Sequence, residues 1–338
     1  MPTLPLYTPP AVPDACHRVI APGGYEWWHF DAESPAGDVV VIARLGVGFL
    51  FPPEYMRRYA RYRRRPTRHP PPLPAEYPAA QCLVFEHGQL VADADTHFRP
   101  GAFAASESQP NVGVERSEFV RESDGLLRLR LRCAGSAGPK AGPLTVDLDL
   151  RPLLPHMPYE TALGTHAARH RWIVSDPLCD AGARVVLPTD RGAPGREIRF
   201  TGRGYHDHAY GTEPLGVRPV QWVRGRILLT TGALAFQIAG SLNMGEVPRT
   251  YLIDSDAAGA RAVAAQARGF RPAEGQLINE LPDEVHIDAA GRESIRLSEP
   301  RLLGSSRGSI WVTCAAVVGT QTGRALCEVA DYPPKGNA

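Results

Sequence analysis

Along much of this chain, apolar and polar residues alternate with a period of two. Leu127, Leu129 and Leu131 are interleaved with Arg128, Arg130 and Arg132, and Leu144, Val146, Leu148 and Leu150 enclose Asp147 and Asp149. Successive strand residues point to opposite faces, so each stretch predicts a half-buried β-strand. A connection containing glycine and proline separates the two, which predicts a hairpin with its leucines inside and an Arg/Asp ladder on its wet face. Further apolar runs predict strands at Val39 to Leu45, Cys82 to Glu86, Arg184 to Pro188, Val220 to Leu229, Ala233 to Ala239, Thr250 to Ile253 and Ile310 to Val318. The 33 glycines and 33 prolines punctuate these runs as in an all-β protein. Helical periodicity is sparse. Pro53 to Arg65 is the best case, and the alanine-rich Ala257 to Arg268, flanked and interrupted by glycine, reads either way.

A chain of 338 residues exceeds one typical domain, so two are expected. The turn-forming stretch from Asp190 to Arg196 is the candidate junction, giving a β domain over 1–194 and a second over 195–338. The expected fold is all-β, with two barrel or sandwich domains packed together and few short helices.

Composition narrows the partners. A formal net charge of +1 gives no general attraction to polyanions, and nucleic acid is not expected. Cys16, Cys82, Cys133, Cys179, Cys314 and Cys327 form no Cys-x-x-Cys pair and no zinc-type spacing, and are read as reduced thiols. Residues 1–22 are proline-rich and lack the basic and apolar regions of a secretory signal. No run is long and apolar enough to span a bilayer, and a cytoplasmic protein is expected.

Three segments carry chemistry. Gly24-Tyr25-Glu26-Trp27-Trp28-His29-Phe30-Asp31 is a dense aromatic cluster entering a strand. Alternation puts Glu26 and Trp28 on one face and Trp27 and His29 on the other, and either set could line a cavity while the remaining aromatics plug a barrel end. Gly204-Tyr205-His206-Asp207-His208-Ala209-Tyr210-Gly211-Thr212-Glu213-Pro214 packs a carboxylate, two imidazoles and two phenols between glycines. So many polar groups are costly unless exposed or employed, although a hydrogen-bonded turn would also accommodate them. His206 and His208 share a face if this is a strand, a spacing open to metal ligands. No third ligand stands at a recognisable spacing, and no metal is expected. His170-Arg171-Trp172 says little alone.

Taken together, Tyr25-Glu26-Trp27-Trp28, Val41-Ile42-Ala43 with the basic stretch after it, His170-Arg171-Trp172, and Gly204-Tyr205, Asp207, Gly211, Glu213 and Pro214 resemble, in order and spacing, the carotenoid 1,2-hydratase (hydroxyneurosporene synthase) family. The resemblance spans most of the first 215 residues and fades beyond. It implies two lipocalin-like β domains, no cofactor, and addition of water to the terminal double bond of an acyclic carotene. Relatives of that fold include Diels–Alderase-type natural-product cyclases. By the same resemblance Asp207 is the proton donor, with Tyr205, His170 and Trp172 as active-site partners. His206 and His208 depart from the hydratases, which leaves the substrate open to other apolar, unsaturated molecules.

Alkene protonation needs an acid that is still protonated at neutral pH, and burial raises a carboxyl group's pKa. Asp207 is expected to be that acid, hydrogen-bonded to Tyr205 and His170. Indole faces can stabilise the resulting cation by about 0.5–2 kcal/mol per ring. Trp172 with Trp27 or Trp28 fits that task, and Glu26, His206, His208, Tyr210 and Trp222 complete the candidate substrate contacts. The alternatives are a cyclase, which needs mainly shape, and a non-catalytic binder of an apolar ligand. The arginine-rich helix over Arg57 to Arg65 carries Tyr55, Tyr59 and Tyr62 as a stripe; it reads as a solvated face or as a contact with anionic membrane. Pro70-Pro71-Pro72-Leu73-Pro74 after it reads as an extended connector.

Overall fold

The computed structural model describes residues 6–49, 52–134, 142–156, 158–162, 170–188, 195–214, 220–240, 249–268, 283–306 and 309–332. The chain is built from antiparallel strands in two bodies. The first is a curved, open sheet in the spatial order β4 (Gln89–His97), β3 (Pro78–Glu86), β2 (Val39–Val47), β1 (Tyr25–Glu33), β12 (Glu197–Gly211), β11 (His170–Val186), β9 (Leu144–Pro152), β8 (Leu127–Cys133), β7 (Ser117–Arg121), β6 (Asn111–Val114) and β5 (Phe103–Ala105). A short β10 (Tyr159–Ala162) pairs with β11. The second is a closed eight-stranded barrel of β13 (Val220–Leu228), β14 (Ala233–Gly240), β15 (Arg249–Asp256), β16 (Gly259–Arg268), β17 (Glu284–Ala289), β18 (Ile295–Ser306), β19 (Ser309–Val318) and β20 (Gln321–Tyr332).

The expected hairpin is β8–β9. Leu129 faces Leu148 and Arg130 faces Asp147 across the pair, the leucines are buried, and Arg130 and Arg132 bond Asp149 and Asp147 at 3.0 and 2.9 Å. The ambiguous alanine-rich stretch is strand β16, because β15 and β17 flank it and complete the ring. The Pro53 to Arg65 segment is helix α1 (Pro53–Arg64), opened by a proline at its first turn. Among the described residues no helix is long and apolar enough to cross a membrane.

The change of body does not fall at 194/195. Residues 189–194 lie outside those described, but β11 and β12 on either side of them are hydrogen-bonded neighbours from Val186–Glu197 to His170–Gly211. Both strands therefore belong to the first sheet, and the change to the barrel falls between Gly211 and Val220.

Each body has its own apolar core. Trp28, Phe30, Val41, Leu45, Val84, Phe119, Leu129 and Leu148 fill the concave side of the open sheet. The barrel bore is packed with Val223, Ile227, Leu234, Phe236, Leu252, Ile287, Val312 and Val329. A Cβ on Gly225 would lie 2.5 Å from the Phe236 ring, so even one added carbon crowds that bore. The barrel is thus a solid unit. Its outer face, on β13, β14, β19 and β20, covers the convex face of the sheet, and this junction buries the polar residues described next.

Candidate functional site

Strand β12 is the wall shared by two buried polar sites, and its alternation assigns residues to them. Tyr205, Asp207 and Ala209 face the barrel; His206, His208 and Tyr210 face the interior of the open sheet. The neighbouring strands follow suit, since Trp28 lies opposite His208 and His29 opposite Asp207. Of the residues singled out in the sequence, the barrel-facing site holds Asp207, Tyr205, Trp172, Trp27 and Trp222, with His170 at its rim. Glu26, Trp28, His206, His208 and Tyr210 are not brought to it. They lie on the opposite side of the sheet, because neighbours one residue apart on a strand cannot share a face.

The barrel-facing site is a closed network of charges. Asp207 is fully buried and accepts bonds at both oxygens, 3.1 Å each, from the Arg224 guanidinium, and one at 2.9 Å from the Tyr205 hydroxyl. Arg224 also donates to Glu328 at 3.0 Å; Glu328 accepts from Arg44 and, at 2.8 Å, from Ser309. His29 sits between the arginines, its Nδ1 accepting from Arg44 Nε at 3.1 Å and facing Arg224 at 3.2 Å, while its Nε2 faces Asp31 at 3.3 Å. Arg226 donates to Asp31 at 2.9 and 2.6 Å and to Glu33 at 3.2 Å, and Arg324 closes the row on Glu33 at 3.1 Å. Four arginines (44, 224, 226, 324) thus meet four carboxylates (31, 33, 207, 328), so the buried charge balances.

This balance fixes protonation states. Burial and then the two guanidiniums hold the His29 pKa well below its ordinary value, so His29 is neutral with its proton on Nε2 toward Asp31. Burial opposes ionisation of Glu328, but Arg44 and Arg224 outweigh it and bring the carboxyl down to about 2. Burial and then Asp207 push the Tyr205 phenol well up. Asp207 is buried as expected, but it is not in an apolar pocket: both of its oxygens meet the Arg224 guanidinium.

Aromatic rings surround the polar group. Trp172 packs with Tyr205, Val174, Ile253, Tyr159 and Tyr251, and Trp27 packs with Tyr25, Phe49 and the barrel's Trp222. Ala209 lies in register between Trp27 and Trp172, and Ala239 and Ala330 flank Trp222, so methyl groups separate the indoles. The buried Trp27 Nε1, Trp172 Nε1 and Gln237 Oε1 find no hydrogen-bond partner among the described residues. At the rim, His170 Nδ1 meets the Tyr25 hydroxyl at 3.0 Å and its Nε2 stands 3.9 Å from Glu213. His170 pairs with Gly211 and Val174 with Asp207, which puts His170 about 13 Å along the strand from Asp207. Helix α1 flanks this rim, with its Tyr59 against Gly23, which also lies beside Pro214. Two surface hollows, of about 680 and 200 Å³, contain none of these side chains.

The second site lies in the concave interior. The segment from Asp14 to Arg18 lies across β1 and β12: Trp28 Nε1 donates to the Asp14 carbonyl at 3.1 Å, and the His17 backbone N–H donates to Glu26 at 2.7 Å. His206 bonds the His29 carbonyl at 2.9 Å through Nδ1 and Asp14 at 3.0 Å through Nε2; Arg121 pairs with Asp176 at 2.5 Å and reaches Asp14 at 3.5 Å. His208 Nε2 stands 3.0 Å and His17 Nδ1 3.2 Å from the same Glu26 oxygen. Burial works against the Glu26 carboxylate, but the two imidazoles outweigh it and hold the pKa down to about 2. Trp28 stacks on His208 and Tyr210 on His17, at ring-centroid distances of 4.4 and 3.7 Å.

Sequence reading missed Arg44, Arg224, Arg226, Glu328, Asp14 and His17. A signal existed for some of these: β13 reads Trp222, Arg224, Arg226, Leu228 at period two, with Val223 and Ile227 between, so two arginines stand on the face carrying a tryptophan. Arg44 gave none, being a lone charge in the apolar strand β2, whereas on β20 Arg324 and Glu328 stand four residues apart on one face.

No protein-family model matches the chain. It is 29% identical over 224 residues to a protein of Chlorobaculum tepidum named hydroxyneurosporene dehydrogenase, a match covering 65% of this chain and 57% of that one, so it spans less than two thirds of that relative. Among solved structures it is similar to CghA, crystallised with Sch210972, with a TM-score of 0.60, 12% identity, and coverage of 96% of this chain and 95% of that one. It is also similar to kievitone hydratase from Nectria haematococca, with a TM-score of 0.50, 13% identity, and coverage of 92% and 89%. The resemblance read from the sequence holds, and the lipocalin-like, all-β architecture is that of these two structures.

Proposed function

We propose that this protein is an enzyme that adds water to a double bond, or forms one by removing water from an alcohol, in an apolar molecule of the isoprenoid or polyene class held between the sheet and the barrel. The reading rests on one observation: a fixed Tyr205–Asp207–Arg224 group stands beside Trp172 on an otherwise aromatic wall. Among the similar proteins, the name kievitone hydratase is in keeping with the reaction, and hydroxyneurosporene dehydrogenase with the substrate class alone.

The ion pair changes the role first expected of Asp207. Paired with Arg224 it is a proton acceptor, suited to deprotonating or orienting water, and Tyr205 is held by the bond it donates to Oδ2. With Asp207 engaged by Arg224, a double bond polarised by a nearby oxygen function is the better substrate, since the Arg224 guanidinium can hydrogen-bond that oxygen and stabilise developing negative charge. The unpartnered indole N–H groups of Trp27 and Trp172 offer two further donors to such an oxygen. The same ion pair favours a second reading, ring closure of a folded polyene, which asks for shape and hydrogen-bond activation and needs no acid.

The test is incubation with acyclic carotenes and with polyenes bearing a carbonyl group, followed by mass spectrometry of the products. Gain of one water marks hydration; an isomer of unchanged mass marks ring closure. Asp207→Asn and Tyr205→Phe are each expected to lower turnover by about 100-fold or more with the fold intact. Full turnover in both variants removes these residues from the mechanism, and a bound but unaltered ligand in the wild type leaves only binding.

A further inference from the structure

The interior face of β12 carries an arrangement that the proposed reaction does not use. His17 Nδ1, a Glu26 oxygen and His208 Nε2 lie within 4.8 Å of one another, and all three residues are buried. The Cys16 thiol stands 3.5 Å from the other Glu26 oxygen. From these contacts we propose that His17, Glu26, His208 and Cys16 form a structural zinc(II) site that pins the segment around Asp14 to Arg18 onto strands β1 and β12.

Three features support it. The first is spacing. Ligands about 2.0–2.1 Å from zinc in a tetrahedron stand about 3.3–3.4 Å apart, the sulfur slightly farther. The His17 and His208 nitrogens stand 3.2 and 3.0 Å from one Glu26 oxygen and all three donors lie within 4.8 Å of one another, while the Cys16 thiol, 3.5 Å from the other Glu26 oxygen, would turn inward as the fourth.

The second is charge. The adjacent cluster of Asp14, Asp176 and His206 also gathers candidate ligands, but Arg121 bonds both oxygens of Asp176 at 3.2 and 2.5 Å and reaches Asp14. A guanidinium already stands where a cation would go. Glu26 has no arginine or lysine partner among the described residues; its contacts are Cys16, His17 and His208. A buried carboxylate with no fixed positive charge beside it calls for one.

The third is the far nitrogen of His208. In a neutral ring that donates Nε2–H to Glu26, Nδ1 carries a lone pair facing Asp14 Oδ1 at 3.7 Å, and neither atom has a hydrogen-bond partner among the described residues. Two acceptors pointing at each other in a buried site repel. A metal on Nε2 moves the ring proton to Nδ1, where Asp14 becomes its acceptor. A carboxylate behind a ligating histidine is how zinc sites fix the tautomer of that ring. The two histidines at strand spacing in the sequence thus find their missing partners in β1 and in the N-terminal segment, at separations that sequence spacing does not reveal.

The experiment uses the full chain. Protein loaded with excess zinc and passed through a weak chelator is expected to keep about one zinc per chain by mass spectrometry, and to lose thermal stability when a strong chelator strips it. Cobalt(II) substitution is expected to give the intense visible bands of a tetrahedral site, with a sulfur-to-metal charge-transfer band that Cys16→Ser abolishes. His208→Gln is expected to lose the metal, while His206→Gln, in the neighbouring cluster, keeps it. Wild-type protein that retains no zinc or cobalt, with a melting temperature indifferent to chelator, overturns the proposal; so does nitrogen NMR showing His208 protonated on both nitrogens in zinc-loaded protein. Metal retention by His208→Gln moves the site elsewhere and overturns it equally.

Discussion

Glu328→Gln tests whether the buried charge network holds the sheet and barrel together. The substitution keeps the shape of the side chain and removes one negative charge. Glu328 is 1% exposed and accepts bonds from Arg44 of the sheet, Arg224 of the barrel and Ser309. An amide can satisfy one guanidinium N–H as an acceptor, but its own NH2 then points at a donor. Arg44 and Arg224 are left buried with one carboxylate fewer between them, and breaking such a pair from one side costs about 3–5 kcal/mol. The control is Asp149→Asn on the exposed β8–β9 ladder, where the partners are 28–45% exposed and the loss is expected to stay below about 1 kcal/mol. Urea unfolding followed by tryptophan fluorescence and far-ultraviolet circular dichroism reads both. Because Arg44 and Glu328 belong to different bodies, the Glu328 variant is also expected to split one transition into two, the signs being a lower midpoint and probes that no longer coincide. If Glu328→Gln costs no more than Asp149→Asn, the network is not what joins the two bodies.

Two further outcomes concern the buried carboxylates and the exposed arginines of helix α1. Glu328 and Glu26 both have folded-state pKa values lowered to about 2 from an ordinary 4.5. A depressed carboxylate contributes stability that is fully present above about 4.5 and lost as pH falls toward about 2, so unfolding free energy should be flat near neutrality and drop through that window, and Glu328→Gln should blunt the drop. Helix α1 leaves Arg57, Arg61, Arg63, Arg64 and Arg65 exposed while Tyr55 and Tyr59 anchor it, so flotation with anionic vesicles at low salt should recover the protein and added salt should release it. Absence of binding at low salt leaves these arginines as a solvated face.

The fold was legible where one face of a strand is wet. The β8–β9 ladder shows its period because Arg128, Arg130, Asp147 and Asp149 meet water while the leucines do not. It was less legible in β1 and β2, buried on both faces, where alternation disappears into an unbroken run. The two faces of the Glu26 to His29 strand were separable from sequence, but which of them met a partner depended on the barrel, whose position no local pattern encodes. For the same reason Asp207 could be marked as important while the guanidinium it meets went unseen. Its partner Arg224 is only 17 residues away in sequence, yet it arrives by way of a different body. The domain boundary failed on turn chemistry: the glycines and proline near 190–196 signal a reversal of direction, and a reversal serves a hairpin as well as a linker.

The filled bore of the barrel has an evolutionary consequence. A lipocalin-type vessel changes its cargo by altering the residues inside, but here the inward positions of β13 are occupied by Val223, Ile227 and a glycine pressed against Phe236, and tolerate little. The outward positions of the same strand meet the sheet instead, but Arg224 and Arg226 are held there by buried carboxylates, which leaves Trp222 as the outward position bound by neither constraint. If the proposed function holds, a change of accepted molecule would start at such outward apolar positions, while the inward residues keep the cylinder intact.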